Sequence, residues 1–491
     1  MNFALVSKLL SVIMLILAIA FAICLGVSYL MDAQTQASIC QEAFSASIAT
    51  ALFSAGLLYW VGRNASPKFF KKEALCTIGL GWILASVVGS IPYTIIHPEM
   101  GISGAIFESV SGITTTGASV LSNLESLPYS LLFWRGLSQW IGGMGVVVFF
   151  VAILGFLGAS GKILYSNEAS GSTADFEESR VQSAVTRIIY VYSGLSLACT
   201  LSFKLAGMTW YEALCHMFAT LSTGGFSTRS ESIGAFNSPL IEWVTIFFMI
   251  AGGVSFLLIL KVIHGKFHFV SRSTEFIAYL FILVICTAIV SIDLTFQYDI
   301  TSAEKSIRMA AFQVVSIMTT TGFATEDFAQ WPTLPQLTLL LLMVIGGCSG
   351  STSGGVKVFR IVIALRVCMR SIEHAFRSRI VRQISMNNRV LGEPSINDIM
   401  VFLVLTAFIS QGAIAIVSIF EPSQELDTNI SAVIATLLNI GPGLADIGPQ
   451  ENFSFFHGHT KIFLSLLMIM GRLELYAILA LFAPSLWKKF D

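Results

Sequence analysis

Charged side chains are scarce in this sequence. Its 491 residues include 28 Lys and Arg and 29 Asp and Glu, or 12% in all, about half the share found in an ordinary soluble domain. Hydrophobic residues make up 55%, and the mean hydropathy is +0.78. A formal net charge of −1, with no basic stretch interleaved with aromatics, gives no indication of nucleic-acid binding. This composition excludes an ordinary soluble protein and indicates a polytopic membrane protein.

Patterns that bind metals or phosphate are also missing. The eight cysteines and seven histidines show no spacing typical of a disulfide framework or a metal site. The apolar runs lack the paired acids or clustered histidines expected of a proton relay or a metalloenzyme. A glycine-rich stretch at 346–357 lacks the Gly-Lys-Ser/Thr ending of a phosphate-binding loop. We therefore predict that the protein is not an enzyme and has no organic cofactor.

Ten runs are apolar and long enough to cross a membrane core about 30 Å thick. They span 5–31, 44–61, 74–95, 130–157, 185–205, 240–263, 275–294, 334–366, 398–419 and 461–481. Four shorter apolar runs lie at 104–113, 210–221, 306–319 and 430–438. The first lies between the third and fourth long runs, and the others lie between the fifth and sixth, the seventh and eighth, and the ninth and tenth. At a rise of about 1.5 Å per residue, helices of this length are too short to cross the membrane core. We predict that they re-enter the membrane around a shared pore, because irregular backbone is tolerated there only where protein or water covers it.

A five-residue motif with glycine at its centre follows each short run, at 115–119, 222–226, 320–324 and 439–443. Four copies about 100 residues apart predict four repeated units around a pseudo-fourfold axis. Glycine readily adopts the dihedrals that turn carbonyls toward such an axis, where they can replace the water around a cation. The alternative, surface helices capped by ordinary Thr-Gly turns, is disfavoured by four copies in matching positions.

Basic residues predict the orientation. They concentrate in the connections on one face of a ten-span topology, at Arg63, Lys68, Lys71, Lys72, Lys162, Arg180, Arg187, Lys261, Lys266, Arg272, Arg366, Arg370, Arg377, Arg379, Arg382, Arg389, Lys488 and Lys489. By the positive-inside rule that face is cytoplasmic, and so are both termini. The opposite connections carry acidic residues, which would raise the local cation concentration at the outer mouth.

Together, the four motifs between paired spans and the two additional N-terminal spans resemble the Trk-H type of bacterial potassium-uptake subunit, within the Trk/Ktr/HKT superfamily. The resemblance covers about 5–482. It implies an all-α polytopic membrane protein with four helix–pore-loop–helix repeats around a pseudo-fourfold pore, plus two N-terminal transmembrane helices. On this sequence those helices occupy 1–69, and the repeats occupy 70–165, 166–270, 271–390 and 391–491. The implied function is K⁺ uptake through a single pore in the bacterial inner membrane, with a K⁺/H⁺ or K⁺/Na⁺ symporter as the alternative.

The resemblance also implies which residues form the potassium filter: Thr115, Thr116, Gly117, Ser222, Thr223, Gly224, Thr320, Thr321, Gly322, Asn439, Ile440 and Gly441. Sodium-preferring members of the superfamily carry serine at the position of Gly117, so we expect K⁺ and Rb⁺ to permeate and Na⁺ and Li⁺ to be disfavoured. The fifth motif position varies between Ser119, Phe226, Ala324 and Gly443. Four equivalent outer carbonyl rings are therefore not expected, and discrimination between K⁺ and Rb⁺ should be weaker than in a channel with four identical loops.

The glycine-rich stretch cannot remain a regular apolar helix. The resemblance implies that it is an intramembrane gate made of Gly346, Gly347, Cys348, Ser349, Gly350, Ser351, Thr352, Ser353, Gly354 and Gly355, acting with Arg472. A plain loop at the cytoplasmic surface is the alternative. Arg472 lies within an apolar run, so it either faces the pore or extends to the interface. Glu474 lies off its helical face and should not pair with it, and we interpret Glu108 and Arg135 as structural.

Two partners are implied by the resemblance. One is a second copy of the chain, forming a homodimer in the membrane. The other is a cytosolic ring of nucleotide-binding regulatory subunits of the Trk-A type, docked on the basic stretch at 366–389. The alternative for these arginines is that they only set topology and contact anionic lipid.

Overall fold

The computed structural model describes residues 1–66, 71–156, 174–297, 302–377, 382–387 and 389–487. Five of the basic residues used above, Lys68, Lys162, Arg379, Lys488 and Lys489, lie outside the described residues. The chain begins with two long apolar helices, α1 (Phe3–Met31) and α2 (Gln34–Gly62), which pack against each other. The side chain of Asn2 caps α1 by accepting a hydrogen bond from the backbone N–H of Leu5.

After this hairpin the chain follows one plan four times: a long helix, a short helix, a loop and a second helix. The helices are α3 (Lys71–Gly89), α4 (Ile91–Ile96), α5 (Gly101–Ile113), α6 (Tyr129–Phe156), α7 (Ala174–Leu205), α8 (Trp210–Leu221), α9 (Pro239–Gly253), α10 (Phe256–Ile263), α11 (His268–Arg272), α12 (Thr274–Gln297), α13 (Ala303–Met318), α14 (Thr333–Ile345), α15 (Val358–Phe376), α16 (Glu393–Phe420), α17 (Leu426–Leu437), α18 (Gly458–Arg472), α19 (Tyr476–Phe482) and α20 (Pro484–Trp487). A hairpin of two-residue strands, β1 (Ser385–Met386) and β2 (Arg389–Val390), connects α15 to α16. The predicted all-α polytopic fold is confirmed.

Each short helix forms where the sequence predicted one. In α8, Thr209 accepts a hydrogen bond from the backbone N–H of Glu212, whose carboxylate accepts from the backbone N–H of Thr209 in return. This capping box fixes where the helix begins. Among the described residues, six helices are long and apolar enough to span a membrane, and two bent helix pairs bring the number to eight.

The bent pairs correct the prediction of unbroken spans at 240–263 and 461–481. Helices α9 and α10 meet at 103°, and α18 and α19 meet at 119°. In the second pair the backbone turns at Glu474 and Leu475, both at positive φ. The span predicted at 334–366 is interrupted by the glycine-rich stretch, as its composition suggested. The second helix is therefore broken in repeats two, three and four, whereas α6 in repeat one is continuous.

Packing closes the four repeats into a ring. Each short helix lies against the second helix of the preceding repeat: α8 against α6, α13 against α9, and α17 against α14. The short helix of the first repeat, α5, packs against α18 of the fourth. The loops that follow the four short helices therefore meet at the centre.

Candidate functional site

The loops after the short helices share one backbone conformation, which sets their register. The first residue of each loop has a positive φ of 53° to 56°, at Thr115, Thr223, Thr320 and Asn439. Two residues later comes a glycine at positive φ: Gly117, Gly225, Gly322 and Gly441. We define loops 1 to 4 as 115–119, 223–227, 320–324 and 439–443.

This register corrects the prediction for the second loop by one residue. Ser222 is the C-cap of α8 in the helical conformation, as Thr319 is for α13, so it precedes the loop. Gly224 is not the central glycine but the counterpart of Thr116, because both N–H groups donate to the carbonyl five residues earlier. The fifth position of loop 2 is Ser227 rather than Phe226. The sequence was misleading because Ser222-Thr223-Gly224 resembles the Thr-Thr-Gly of the first and third motifs.

Close approaches between neighbouring loops show that they form a closed ring. A β-carbon on Gly117 would lie 2.3 Å from the carbonyl oxygen of Gly224, in the next loop. The equivalent distances are 1.9 Å from Gly225 to the oxygen of Thr321, 2.2 Å from Gly322 to that of Ile440, and 2.7 Å from Gly441 to that of Thr116. Each central glycine thus lies against the carbonyl that precedes the central glycine of the next loop. The positive φ favours glycine at these positions, and any side chain there would have to displace the neighbouring carbonyl.

Side chains behind the ring hold its carbonyl-bearing residues. The hydroxyl of Thr116 lies 2.7 Å from that of Thr114, and the hydroxyl of Thr321 lies 2.7 Å from that of Thr319. In loop 4 the amide of Asn439 donates to the hydroxyl of Thr116 at 2.8 Å, so loops 4 and 1 are bonded directly. All of these side chains are buried.

A buried ion pair links loops 1 and 2. Arg135 on α6 donates to the carboxylate of Glu108 on α5 at 2.9 Å and to the carbonyl oxygen of Ser227 at 3.1 Å. Its guanidinium lies 4.0 Å from the centre of the Phe226 ring. Glu108 also accepts from the hydroxyl of Ser119 at 3.1 Å. Both charged side chains are buried, which agrees with the structural role predicted for them.

A cavity of about 190 Å³ opens on one side of the ring and is lined by all four central glycines. Its wall includes Asn123, Ser230 and Gln450 from connections between the helices. Beside it, the carboxylate of Glu125 accepts hydrogen bonds from the N–H and hydroxyl of Ser230, at 2.8 and 2.5 Å. Burial raises the pKa of Glu125, but these hydrogen bonds outweigh it and hold that pKa below its usual value.

The glycine-rich stretch, which we call the intramembrane segment (346–357), lies on the other side of the ring. Gly354 donates its N–H to the hydroxyl of Thr320 at 2.6 Å, and Gly355 donates to the carbonyl of Leu438 at 3.0 Å. The hydroxyl of Thr352 donates to the carbonyl of Leu221 at 2.8 Å. The segment therefore contacts the base of loops 2, 3 and 4 at once, and a plain surface loop is excluded.

The break between α9 and α10 supplies further partners of this segment. Cys348 donates its N–H to the carbonyl of Gly253 at the end of α9, and Phe256 at the start of α10 donates to the carbonyl of Gly350, at 2.9 and 3.1 Å. The N–H of Ser349 donates to the carboxylate of Glu275 at 2.6 Å. Backbone groups freed by the broken helices are thus satisfied by one another.

Arg472 contacts the intramembrane segment from the end of α18. Its side chain is 4% exposed, and Nη1 donates to the carbonyl oxygen of Thr352 at 2.6 Å. It does not extend to the interface. Glu474 does not pair with Arg472, as predicted; its carboxylate pairs with Arg360 at 2.6 Å. A second buried cation, Lys357, donates to the carbonyl of Ser353 within the segment; sequence reasoning did not single out this residue.

The chain matches a family model described as TrkH, cation transport protein, over residues 39–489. It is 34% identical over 451 residues to the Trk system potassium uptake protein TrkH of Escherichia coli K12, covering 91% of this chain and 92% of that protein. It is 32% identical over 485 residues to the Trk system potassium uptake protein TrkI of Halomonas elongata, covering 98% and 96% of the two chains.

A solved structure gives the same result for the fold. The crystal structure of the potassium transporter TrkH from Vibrio parahaemolyticus superimposes with a TM-score of 0.89 at 29% sequence identity. The match covers 99% of this chain and 100% of that chain.

Proposed function

This chain belongs to the TrkH family of cation transport proteins, as the four motifs predicted, and we propose that it carries potassium into a bacterial cell through a single pore. The observation that supports this most strongly is the closed ring in which each central glycine lies against a carbonyl of the next loop. Backbone carbonyls in such a ring are suited to replace the hydration shell of K⁺. The ion is the transported substrate, held without carboxylate ligands.

The intramembrane segment and Arg472 form the gate in this proposal. The segment lies across the base of three loops, so it blocks the path to the ring from that side. A guanidinium at this position also repels an approaching cation. Opening requires the segment to leave its partners, and its glycines permit that change of backbone conformation.

Flux through purified protein in proteoliposomes tests the proposed activity. We expect ⁸⁶Rb⁺ or K⁺ uptake down a K⁺ gradient that persists without a proton or sodium gradient; uptake that requires either one would favour the symporter. Gly225→Ala should abolish this flux, because a β-carbon there would lie 1.9 Å from the carbonyl of Thr321. Gly207→Ala is the matched control, since Gly207 also has positive φ but has no atom within 4 Å of its β-carbon position. Equal flux in both variants would contradict a pore at the ring.

We further propose that the protein forms a homodimer, lies in the inner membrane with both termini in the cytoplasm, and docks a cytosolic nucleotide-binding ring on its basic stretch. Some of these arginines already have partners: Arg370 pairs with Glu393, and Arg382 pairs with Glu373. Among the arginines of this stretch that the structure describes, the exposed Arg377 is therefore the best candidate for docking. Such pairs are weak at an exposed surface and can exchange for an incoming acidic partner.

Co-purification tests the docking. Neutralising Arg377, Arg379 and Arg382 together should reduce recovery of the regulatory ring with the protein. Neutralising Arg63 and Arg272, exposed cations of other connections on the same predicted face, is the control for a general loss of positive charge. If the two variants retain the ring equally, the arginines serve topology and lipid contact instead.

A further inference from the structure

One glutamine of the first repeat reaches into the ring at loop 2. Gln139 lies on α6, one helical turn after Arg135, and is 0% exposed. Its Nε2 donates to the carbonyl oxygen of Gly224 at 2.6 Å, and its Oε1 accepts from the N–H of Phe226 at 3.1 Å. The two bonds are reciprocal, one donated and one accepted, so they fix which way the amide points. Its partner is one of the four ring carbonyls.

The loop residue that Gln139 contacts, Gly224, differs from its counterparts in the other three loops. Loops 1 and 3 carry Thr116 and Thr321 there, and their hydroxyls are bonded behind the ring. Loop 4 carries the buried Ile440. Loop 2 alone carries glycine at this position, so it has no side chain of its own to fill the space.

Gln139 occupies that space. A β-carbon on Gly224 would lie 2.5 Å from Cδ, 2.7 Å from Oε1 and 2.8 Å from Nε2 of Gln139, and these are its three nearest neighbours. Gly224 is not among the residues at positive φ, so its backbone conformation would accept a side chain. The side chain of Gln139 therefore leaves no room for a threonine at position 224.

We propose that Gln139 is a specificity-determining residue of the filter, which takes the place of the missing loop side chain and holds the Gly224 carbonyl in the ring. The inference rests on the proposed potassium pathway. A carbonyl that accepts a hydrogen bond from a side-chain amide is less free to move toward a small ion and donates less of its charge to any ion. Gln139 thereby penalises the collapse of the ring around Na⁺, which needs shorter contacts than K⁺.

Bi-ionic reversal potentials in planar bilayers test this, because they report selectivity independently of how often the gate is open. Gln139→Leu keeps most of the volume but removes both hydrogen bonds. We expect it to raise the Na⁺/K⁺ permeability ratio about two- to tenfold, the range that corresponds to loss of the one neutral hydrogen bond that ends on the ring carbonyl. Gln313→Leu is the matched control, since Gln313 is also 0% exposed but bonds at Thr325 and Glu326 rather than to a ring carbonyl. It should leave the ratio unchanged.

A double-mutant cycle distinguishes a role of Gln139 in positioning the Gly224 carbonyl from a general destabilisation of the protein. Gly224→Thr alone should nearly abolish K⁺ flux, because the new side chain collides with Gln139. Combined with Gln139→Ala, the same threonine has room and can reach Ser222 as Thr116 reaches Thr114. We expect the double variant to regain both flux and the parental permeability ratio. A merely structural glutamine would give a double variant worse than either single one.

The outcomes distinguish the two proposals. If the parent protein passes K⁺ and Na⁺ equally, the potassium pathway itself is wrong. If the parent is selective but Gln139→Leu has the parental ratio, or if Gly224→Thr is not rescued by Gln139→Ala, the role of Gln139 is wrong while the pathway stands. A shift of equal size in Gln313→Leu would show a general effect of buried glutamines and would also overturn the proposal.

Discussion

Replacing Arg472 with alanine should open the gate without changing ion preference. The structure gives this residue one hydrogen bond to the intramembrane segment, from Nη1 to the carbonyl of Thr352 at 2.6 Å. No hydrogen-bond partner for its Nε and Nη2 is found among the described residues. A buried hydrogen bond from a charged group contributes about 1.5–3 kcal/mol. If that contribution exists only while the segment is closed, its loss favours the open state about 10- to 150-fold.

Single-channel open probability in planar bilayers measures this shift. Lys461→Ala is the control: Lys461 lies on the same helix and donates to a carbonyl at 2.7 Å, but at Ser454, away from the segment. We expect Arg472→Ala to raise basal open probability and Lys461→Ala to leave it unchanged, with the same reversal potential in both. Loss of K⁺ preference in Arg472→Ala would contradict the separation of gate and ring.

Deleting residues 346–350 tests whether the two elements form one gate. The deletion moves Thr352 from its place, so Arg472 loses its acceptor. In a double variant Arg472→Ala should then add little, and the gating free energies should be clearly non-additive. Full additivity across the four members of this cycle would refute the shared gate.

Three further results are expected. Gly117→Ser should raise relative Na⁺ permeation, because the side chain displaces the carbonyl of Gly224 from the ring, and an unchanged bi-ionic reversal potential would argue against this. Glu108→Gln should lower the free energy of unfolding in detergent by about 3–5 kcal/mol, since Arg135 would keep a buried charge without its partner; a change below about 1 kcal/mol would mean that the pair is solvated. Because the pKa of Glu125 is lowered, its stabilising contribution is present above about pH 4.3 and is lost as the pH falls through the lowered pKa. Glu125→Gln should therefore remove part of the acid sensitivity of the melting temperature below about pH 4, and identical pH profiles would contradict that role.

Much of this architecture is readable from hydropathy and repetition. Twenty consecutive apolar residues have few alternatives to a spanning helix, and α8 begins and ends at the residues where its short apolar run does. The positions of the loops follow from the same pattern because each comes directly after a short helix. What the pattern does not supply is the register within a loop, since that depends on which residue caps the helix.

The broken spans were less predictable. The residues at the break between α9 and α10 are Val254 and Ser255, and the run around them, 244–260, is mostly apolar. Hydropathy cannot detect a break whose lost helical bonds are replaced by bonds from a distant segment, as when Phe256 donates to Gly350. The pair Gly252-Gly253 was the available local signal. Likewise, nothing near Gln139 in the sequence indicates that it reaches loop 2, because that contact exists only once two repeats are packed together.

The position of the breaks relative to the ring bears on how a gate can move while the filter keeps its shape. The intramembrane segment bonds to Thr320 and Leu438 at the base of loops 3 and 4, so its departure removes support there. The segment also bonds to Leu221 at the base of loop 2. Loops 1 and 2 are held in addition from the unbroken α6, through Arg135 and Gln139, which do not contact the segment in any described hydrogen bond. Loop 4 is bonded to loop 1 by Asn439 as well. Loop 3 keeps the hydrogen bond from the hydroxyl of Ser316 to the carbonyl of Phe323 at 2.6 Å. Every loop therefore retains a side-chain anchor when the segment moves, which is the physical reason that, in the proposed mechanism, opening the gate and selecting the ion can be separate properties.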